Sequence, residues 1–173
     1  MKNNIFLMLL IISVTSCRYF NVSPVDGITT KNVTEKPKNE DLIGTWEIDE
    51  FSYDLIIQNG YELNKIIELK LLENNYFEIE NFPEFVDVFN ESGNKKYHNL
   101  TGKWKVEKDF NNKYWVLSLN FDNSEFYNQG RNISYKLFLK NNKLIIWNFI
   151  GDPDSGERFL YEKRPAANTS LAK

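Results

Sequence analysis

The chain has 173 residues, with 21 basic and 24 acidic side chains, a formal net charge of −3, one Cys and one His. A single His excludes a site with two histidine ligands, and a single Cys leaves too few ligands for a zinc cluster. The acidic balance offers no basic surface for a phosphate backbone, so we expect no nucleic-acid partner. A charged fraction of 26% excludes a protein with several membrane-spanning helices, and 15% aromatic residues indicate a packed core. The composition therefore predicts one folded domain with terminal extensions.

The N-terminus has the pattern of a cleaved export signal. Lys2 supplies one positive charge, and residues 5–12 form an unbroken apolar run that ends before Ser13. An apolar run of this length makes about 12 Å of helix, too short for a hydrocarbon core of about 30 Å. A short basic start, an apolar stretch and small residues predict a signal peptide, here residues 1–16.

The end of this signal resembles the lipobox of bacterial lipoproteins. Residues 14–17, Val-Thr-Ser-Cys, place an aliphatic residue and two small residues before a Cys. The resemblance implies that Cys17 becomes the acylated N-terminus of a membrane-anchored protein. The absence of a second Cys agrees with acylation, because an exported protein that relied on disulfides would carry a partner for it. Arg18 stands where an Asp would signal retention in the inner membrane, so the resemblance implies the periplasmic face of the outer membrane.

Both ends of the mature chain lack a regular period. Residues 17–41 mix Ser, Pro, Gly and Thr with charged residues, and they show neither a 2.0 nor a 3.6 repeat. We expect the lipidated Cys17 to be followed by a flexible tether that holds the domain off the membrane. Residues 165–173 are small and polar, and we expect a disordered tail. The folded domain is then residues 42–164.

Alternating apolar and polar residues within this domain predict β-hairpins. In the clearest one, two apolar stretches flank Asn141 and Asn142, which tolerate the positive φ of a two-residue turn. This register sets Leu139 opposite Leu144, and the same face of the hairpin also carries Leu137 and Ile146. Three bulky residues fall on the opposite face: Phe138, Ile145 and Trp147. We expect another segment, a neighbour or a partner to cover that second apolar face.

Eight strands are predicted altogether. In a second hairpin a three-residue loop, 73–75, sets Leu71 opposite Phe77. No long window has helical apolar spacing, and residues 54–63 and 83–91 are open to short helices or connecting loops. Eight sequential antiparallel strands can close into an up-and-down barrel or pair as a sandwich. The predicted strands are residues 42–51, 66–72, 76–82, 100–108, 113–121, 135–140, 144–150 and 158–163.

Two short motifs resemble the signature of lipocalins. Residues 44–46, Gly-Thr-Trp, open the first strand as Gly-X-Trp does in lipocalins and lipocalin-like bacterial lipoproteins, and residues 102–104, Gly-Lys-Trp, repeat it. The resemblance implies an all-β fold, an eight-stranded antiparallel up-and-down barrel. It also implies that Gly44 and Trp46 lie at a closed end of the barrel, with Arg158 from the last strand laid over the indole ring.

An eight-stranded barrel encloses room for its own side chains or for one small ligand. The bulk of the predicted inward side chains favours a mostly filled interior and leaves a cavity at the open end as the alternative. The candidate cavity-lining residues are Leu69, Leu71, Phe77, Ile79, Trp104, Leu117, Leu137 and Ile146.

Few residues offer catalytic or metal chemistry. His98 lies in a polar stretch with no recognizable nucleophile or orienting carboxylate nearby, so we interpret it as a solvated loop residue. Asp152, Asp154 and Glu157 fit a turn between two strands better than a calcium loop. We therefore expect no enzyme activity, no cofactor and no metal.

The sequence indicates a monomeric, membrane-anchored, lipocalin-like binding protein of the bacterial cell envelope that carries a small apolar or amphipathic ligand. A different class is also open: an inhibitor or immunity-type protein of the periplasm. Such a protein would block another envelope protein through the 83–99 connection or through the face of Phe138, Ile145 and Trp147. A continuous apolar cavity would favour the carrier, and a filled barrel with an exposed aromatic patch would favour a protein partner.

Overall fold

The computed structural model describes residues 30–62, 64–86, 95–127, 130–151 and 156–165. The signal peptide, Cys17, most of the predicted tail, Asp152 and Asp154 lie outside these residues. No helix in the described ranges is long and apolar enough to cross a bilayer. The strands are β1 (Thr30–Asn32), β2 (Gly44–Ile48), β3 (Glu68–Leu71), β4 (Tyr76–Pro83), β5 (Tyr97–Lys108), β6 (Trp115–Phe121), β7 (Asn132–Lys140), β8 (Lys143–Phe149) and β9 (Arg158–Lys163). Two α-helices, α1 (Asn39–Leu42) and α2 (Glu50–Gln58), and a 3-10 turn (Glu84–Val86) complete the described elements.

Strands β2 to β9 form an eight-stranded antiparallel up-and-down barrel, which confirms the predicted fold class. Each strand pairs with the next along the chain, and β9 pairs with β2 to close the sheet. The closing seam sets Trp46 opposite Lys163 and Ile48 opposite Tyr161. Closure pairs strands β2 to β9 on both sides, so that among the described strands only the three-residue β1 has an unpaired edge.

The two ends of the barrel differ in their connections. At the hairpin end, short turns join β3 to β4, β5 to β6 and β7 to β8, through residues 72–75, 109–114 and 141–142. At the loop end, longer connections span residues 49–67, 84–96, 122–131 and 150–157.

The predicted hairpin registers are confirmed. Leu71 lies opposite Phe77 across the β3–β4 turn. Leu139 lies opposite Leu144, and Leu137 opposite Ile146. Asn141 and Asn142 have φ values of 53° and 61°, as a two-residue turn with positive φ requires.

The first predicted strand, 42–51, is shorter in the structure. Leu42 ends helix α1, and helix α2 begins at Glu50, so β2 covers only Gly44–Ile48. The Asp49 side chain accepts a hydrogen bond from the Ser52 backbone N at 2.9 Å and thereby caps α2. Ser52 also holds the helix to the barrel, because its Oγ accepts from the Leu160 backbone N at 2.9 Å. Local capping therefore overrides strand alternation here.

The β5–β6 turn is longer than predicted. Strand β6 begins at Trp115 instead of residue 113. The Asp109 carboxylate accepts hydrogen bonds from the backbone N of Lys113 at 2.6 Å and of Tyr114 at 2.8 Å. These two bonds hold residues 110–113 in a loop and delay the strand.

Part of the predicted tether belongs to the fold. Strand β1 pairs with β7, with Thr30 opposite Lys140 and Asn32 opposite Phe138, along the part of β7 that β6 does not reach. Helix α1 also lies within the stretch that we expected to be flexible. Only residues 17–29 then remain as a connection to Cys17, and they lie outside the described part of the chain.

The second apolar face of the β7–β8 hairpin is covered within the chain. Ile145, Trp147 and Leu160 form a small cluster on the outside of the barrel, and Trp147 is only 2% exposed. Phe138 and Phe149 pack at its margin. The exposed aromatic patch that the protein-partner alternative needs is therefore not present at these residues.

Candidate functional site

Trp46 lies at the hairpin end, fully buried under the segment that precedes β2. Its indole Nε1 donates a hydrogen bond to the carbonyl oxygen of Leu42 at 2.8 Å. The Lys163 ammonium lies 5.8 Å from the centre of the Trp46 ring and donates to the carbonyl oxygen of Asp41 at 2.7 Å. Burial lowers the pKa of Lys163, and the charge of Asp41 opposes that shift. This end is closed by packing and hydrogen bonds.

Lys163, and not Arg158, lies over Trp46, which corrects the role that the resemblance implied for Arg158. The Arg158 guanidinium lies 3.9 Å from the centre of the Phe51 ring and 3.9 Å from the Asp49 carboxylate. Alternate residues of a strand face opposite sides of a sheet. Lys163 lies opposite Trp46 on the inward side of β9, whereas Arg158 is on the outward side with Leu160.

Lys163 also explains why residue 44 is a glycine. A Cβ atom at this position would lie 3.1 Å from Cε of Lys163, and the φ angle of +134° disfavours any side chain. The Gly-X-Trp motif therefore leaves the space through which Lys163 crosses to the carbonyl of Asp41.

The candidate cavity-lining residues pack the interior. All of them belong to one continuous core cluster, with exposures between 0% and 3%. A side chain that faced a void large enough for a water molecule would keep accessible area. These positions therefore fill the barrel, as the bulk of their side chains predicted. They are Leu69, Leu71, Phe77, Ile79, Trp104, Leu117, Leu137 and Ile146.

Aromatic side chains crowd the loop end in two groups. In the first, Tyr61 lies 5.3 Å from Phe85 and 5.2 Å from Tyr97, measured between ring centres. In the second, Phe126 stacks on the His98 ring at 4.3 Å with an angle of 10° between the planes. Phe126 also lies 4.4 Å from Tyr127. We call these six residues the loop-end aromatic cluster: Tyr61, Phe85, Tyr97, His98, Phe126 and Tyr127.

Two buried polar atoms, one on a residue of this cluster and one beside it, lack a hydrogen-bond partner in the described part of the chain. They are Oε2 of Glu84 and Nε2 of His98. The charge of Glu84 acts on both His98 and Tyr61, so this carboxylate lies near a member of each aromatic group. An unsatisfied buried polar atom costs about 1–3 kcal/mol, a cost that a bound water molecule or a ligand with a matching group would remove.

His98 is not the solvated loop residue that its polar neighbours in the sequence suggested. It lies in β5, opposite Phe82, with its ring against Phe126. Burial lowers the pKa of His98, and the Glu84 charge opposes the shift. The sequence gives no local sign of this, because Phe126 comes from the β6–β7 connection, far along the chain.

The lowered pKa predicts that stability falls in acid. The unfolded chain binds a proton at His98 near its usual pKa of about 6.5, whereas the folded chain resists it. The stability due to neutral His98 is therefore complete above about pH 6.5 and is lost as the pH falls below it. We expect the melting temperature of the wild type to drop more steeply than that of His98→Phe, which keeps a stacking ring. Melting curves recorded from neutral pH to about pH 5 test this, and parallel profiles of the two proteins would contradict it.

Comparisons with known proteins assign neither a family nor a function to this chain. No family model, curated protein or solved structure matches the chain. Functional conclusions therefore rest on the residues of this chain, above all on the loop-end aromatic cluster and the N-terminal motif.

Proposed function

We propose that this protein is a lipid-anchored, lipocalin-like binding protein of the bacterial cell envelope. Acyl chains on Cys17 hold it at the periplasmic face of the outer membrane, and the barrel binds one small amphipathic molecule at its loop end. The apolar run of residues 5–12, followed directly by the Val-Thr-Ser-Cys motif, supports the anchor. The protein acts as a monomer and by binding, without catalysis.

The binding proposal is carried by one observation, the pairing of the loop-end aromatic cluster with the unpartnered atoms of Glu84 and His98. A carboxylate oxygen only accepts hydrogen bonds, so the ligand must donate one. A neutral imidazole nitrogen can accept or donate, depending on the tautomer. Aromatic rings offer apolar surface with stacking geometry. The ligand therefore has an aromatic or apolar body and a hydroxyl, amine or amide group, and a free fatty acid is disfavoured by charge repulsion at Glu84.

The course of the chain agrees with this arrangement. Strand β1 joins the barrel beside Lys140, at the hairpin end. The anchor therefore attaches at one end of the barrel and the proposed ligand site lies at the other. A molecule in the periplasm can then reach the loop end without passing the membrane surface.

The protein-partner alternative has less support. Ile145 and Trp147, which it needs on the surface, are buried. Its other surface, the 83–99 connection, is shortened because β5 begins at Tyr97, and residues 87–94 lie outside the described residues. The carrier is therefore the function that the geometry supports best.

Binding of N-phenyl-1-naphthylamine tests the site, because this probe joins two aromatic ring systems through one N–H donor. We expect its fluorescence to rise with the wild type and its affinity to fall about tenfold in Glu84→Gln, since a hydrogen bond to a charged group contributes about 1.5–3 kcal/mol. Glu125→Gln is the matched control, because Glu125 is exposed and also acts on His98 through its charge. Equal losses in both variants, or no binding to the wild type, would refute the proposed site.

A further inference from the structure

The tip of the β5–β6 hairpin presents an aromatic side chain to solvent. Phe110 is 101% exposed, whereas the next most exposed large apolar side chain of the described residues, Ile66, is 60% exposed. The loop beneath Phe110 is fixed, because the Asp109 carboxylate accepts hydrogen bonds from the backbone N of Lys113 and Tyr114. Phe110 is therefore held away from the barrel on a loop with defined hydrogen bonds.

Three lysines lie over the aromatic rings next to this tip. The Lys108 ammonium lies 4.3 Å from the centre of the Trp115 ring. The ammonium groups of Lys113 and Lys136 lie 5.1 Å and 5.0 Å from the centre of the Tyr114 ring. Without Lys2 of the signal peptide the chain has 20 basic and 24 acidic side chains, a net charge of −4. Three lysines (Lys108, Lys113 and Lys136) outweigh the one carboxylate of the tip, Asp109, so the tip keeps a net positive charge on an acidic protein, which indicates a negatively charged partner.

The N-terminal connection brings this same end toward the membrane. Strand β1 begins at Thr30 beside the tip of the β7–β8 hairpin, so the chain joins the barrel at the hairpin end. Thirteen residue steps separate Thr30 from Cys17, which gives a reach of at most about 43–47 Å at about 3.3–3.6 Å per residue. An acyl anchor on Cys17 therefore holds the hairpin end, and with it the β5–β6 tip, near the bilayer.

We propose that the β5–β6 tip, formed by Phe110 with Lys108 and Lys113, contacts an anionic phospholipid surface. The Phe110 ring enters the interface between headgroups and acyl chains, and the two ammonium groups meet lipid phosphates. This contact rests on the proposed function, because it depends on anchoring at Cys17. It gives the anchored barrel one orientation. The loop end then points away from the bilayer and toward its ligand.

The test uses the chain from residue 17 onward with Cys17→Ser, so that no acyl chain contributes to binding. Co-sedimentation with vesicles of phosphatidylethanolamine and phosphatidylglycerol is compared with co-sedimentation with vesicles of phosphatidylcholine. We expect binding to the anionic vesicles that weakens at high salt. Phe110→Ser should weaken it about tenfold or more, because the ring loses its burial in the interface. The double variant Lys108→Gln, Lys113→Gln should weaken binding about tenfold on anionic vesicles alone.

Ile66→Ser is the matched control, because Ile66 is an exposed apolar residue outside the hairpin end, in the segment before β3. We expect it to bind vesicles as the parent does. Absence of vesicle binding by the parent, equal binding by Phe110→Ser, or an equal loss in Ile66→Ser overturns the proposal. Acylation of native Cys17 and binding of N-phenyl-1-naphthylamine are measured separately, so a failure here is distinguishable from a failure of the proposed function. Melting temperatures check that the variants fold. We expect Phe110→Ser to melt at the same temperature as the parent, because Phe110 is fully exposed and has no packing contact to lose.

Discussion

We expect Trp46→Ala to lower the free energy of unfolding by about 3–5 kcal/mol, the range for replacing a fully buried Trp or Phe. The indole is completely buried at the hairpin end, and its Nε1 donates to the Leu42 carbonyl. Removing it leaves a cavity between α1 and the barrel, an unpaired Leu42 carbonyl oxygen, and a Lys163 ammonium without its ring. Denaturant unfolding followed by circular dichroism measures the change.

Trp115→Ala is the matched control for this experiment. Trp115 is half-buried in the β5–β6 region, and its Nε1 donates to the carbonyl of Thr34 over 3.4 Å, near the limit for a hydrogen bond. We expect less than half of the loss seen for Trp46→Ala. Equal losses in the two variants, or a loss below about 1 kcal/mol for Trp46→Ala, would show that Trp46 does not close the barrel as described.

Cys17→Ser is expected to move the protein from the membrane fraction to the soluble fraction. Each buried acyl CH₂ contributes about 0.8 kcal/mol to membrane attachment, so two or three chains make it effectively permanent. A serine cannot provide the thiol for the lipid, and the remaining contacts of a single hairpin tip are weak and reversible. Membrane fractionation together with radioactive fatty-acid labelling follows the change in a bacterial host.

Ser16→Ala serves as the control, because Ala is also a small residue before the Cys and leaves the thiol intact. We expect this variant to stay labelled and bound to membranes. Continued acyl labelling of Cys17→Ser would show that lipid is attached elsewhere. A soluble wild-type protein would refute the anchor altogether.

The strand pairing could be predicted because it depends on local patterns. Alternation of apolar residues fixes which side chains of a hairpin share a face, and the turn length fixes which residues lie opposite each other. For this reason the Leu139–Leu144 and Leu71–Phe77 pairs agree with the structure. The burial of Leu117 follows from the same alternation.

Features that depend on distant parts of the chain could not be predicted. Whether Lys163 or Arg158 lies over Trp46 depends on the register in which β9 pairs with β2, and these two strands are at opposite ends of the domain's sequence. The burial of His98 in β5 depends on Phe126, which lies far along the chain in the β6–β7 connection. Helix α2 had a local sign, the Asp49 cap with Ser52 three residues later. That sign competes with the strand pattern of residues 42–51, and only the structure decides between them.

The two ends of the barrel differ in the side chains and chain segments that they carry. The hairpin end is closed by Trp46 and Lys163, receives the N-terminal strand and carries Phe110. The loop end carries aromatic rings and the unpartnered polar atoms of Glu84 and His98. A filled interior separates them, so the proposed binding at the loop end needs no rearrangement of the core.

Native mass spectrometry of the Cys17→Ser protein measures directly whether the loop end binds a small molecule. We expect the wild-type loop end to retain one small molecule per chain, or to take up one N-phenyl-1-naphthylamine from solution, and Glu84→Gln to retain less. A spectrum with only the mass of the bare chain, unchanged after addition of the probe and of a panel of small amphipathic alcohols and amines, would contradict a binding function for this barrel.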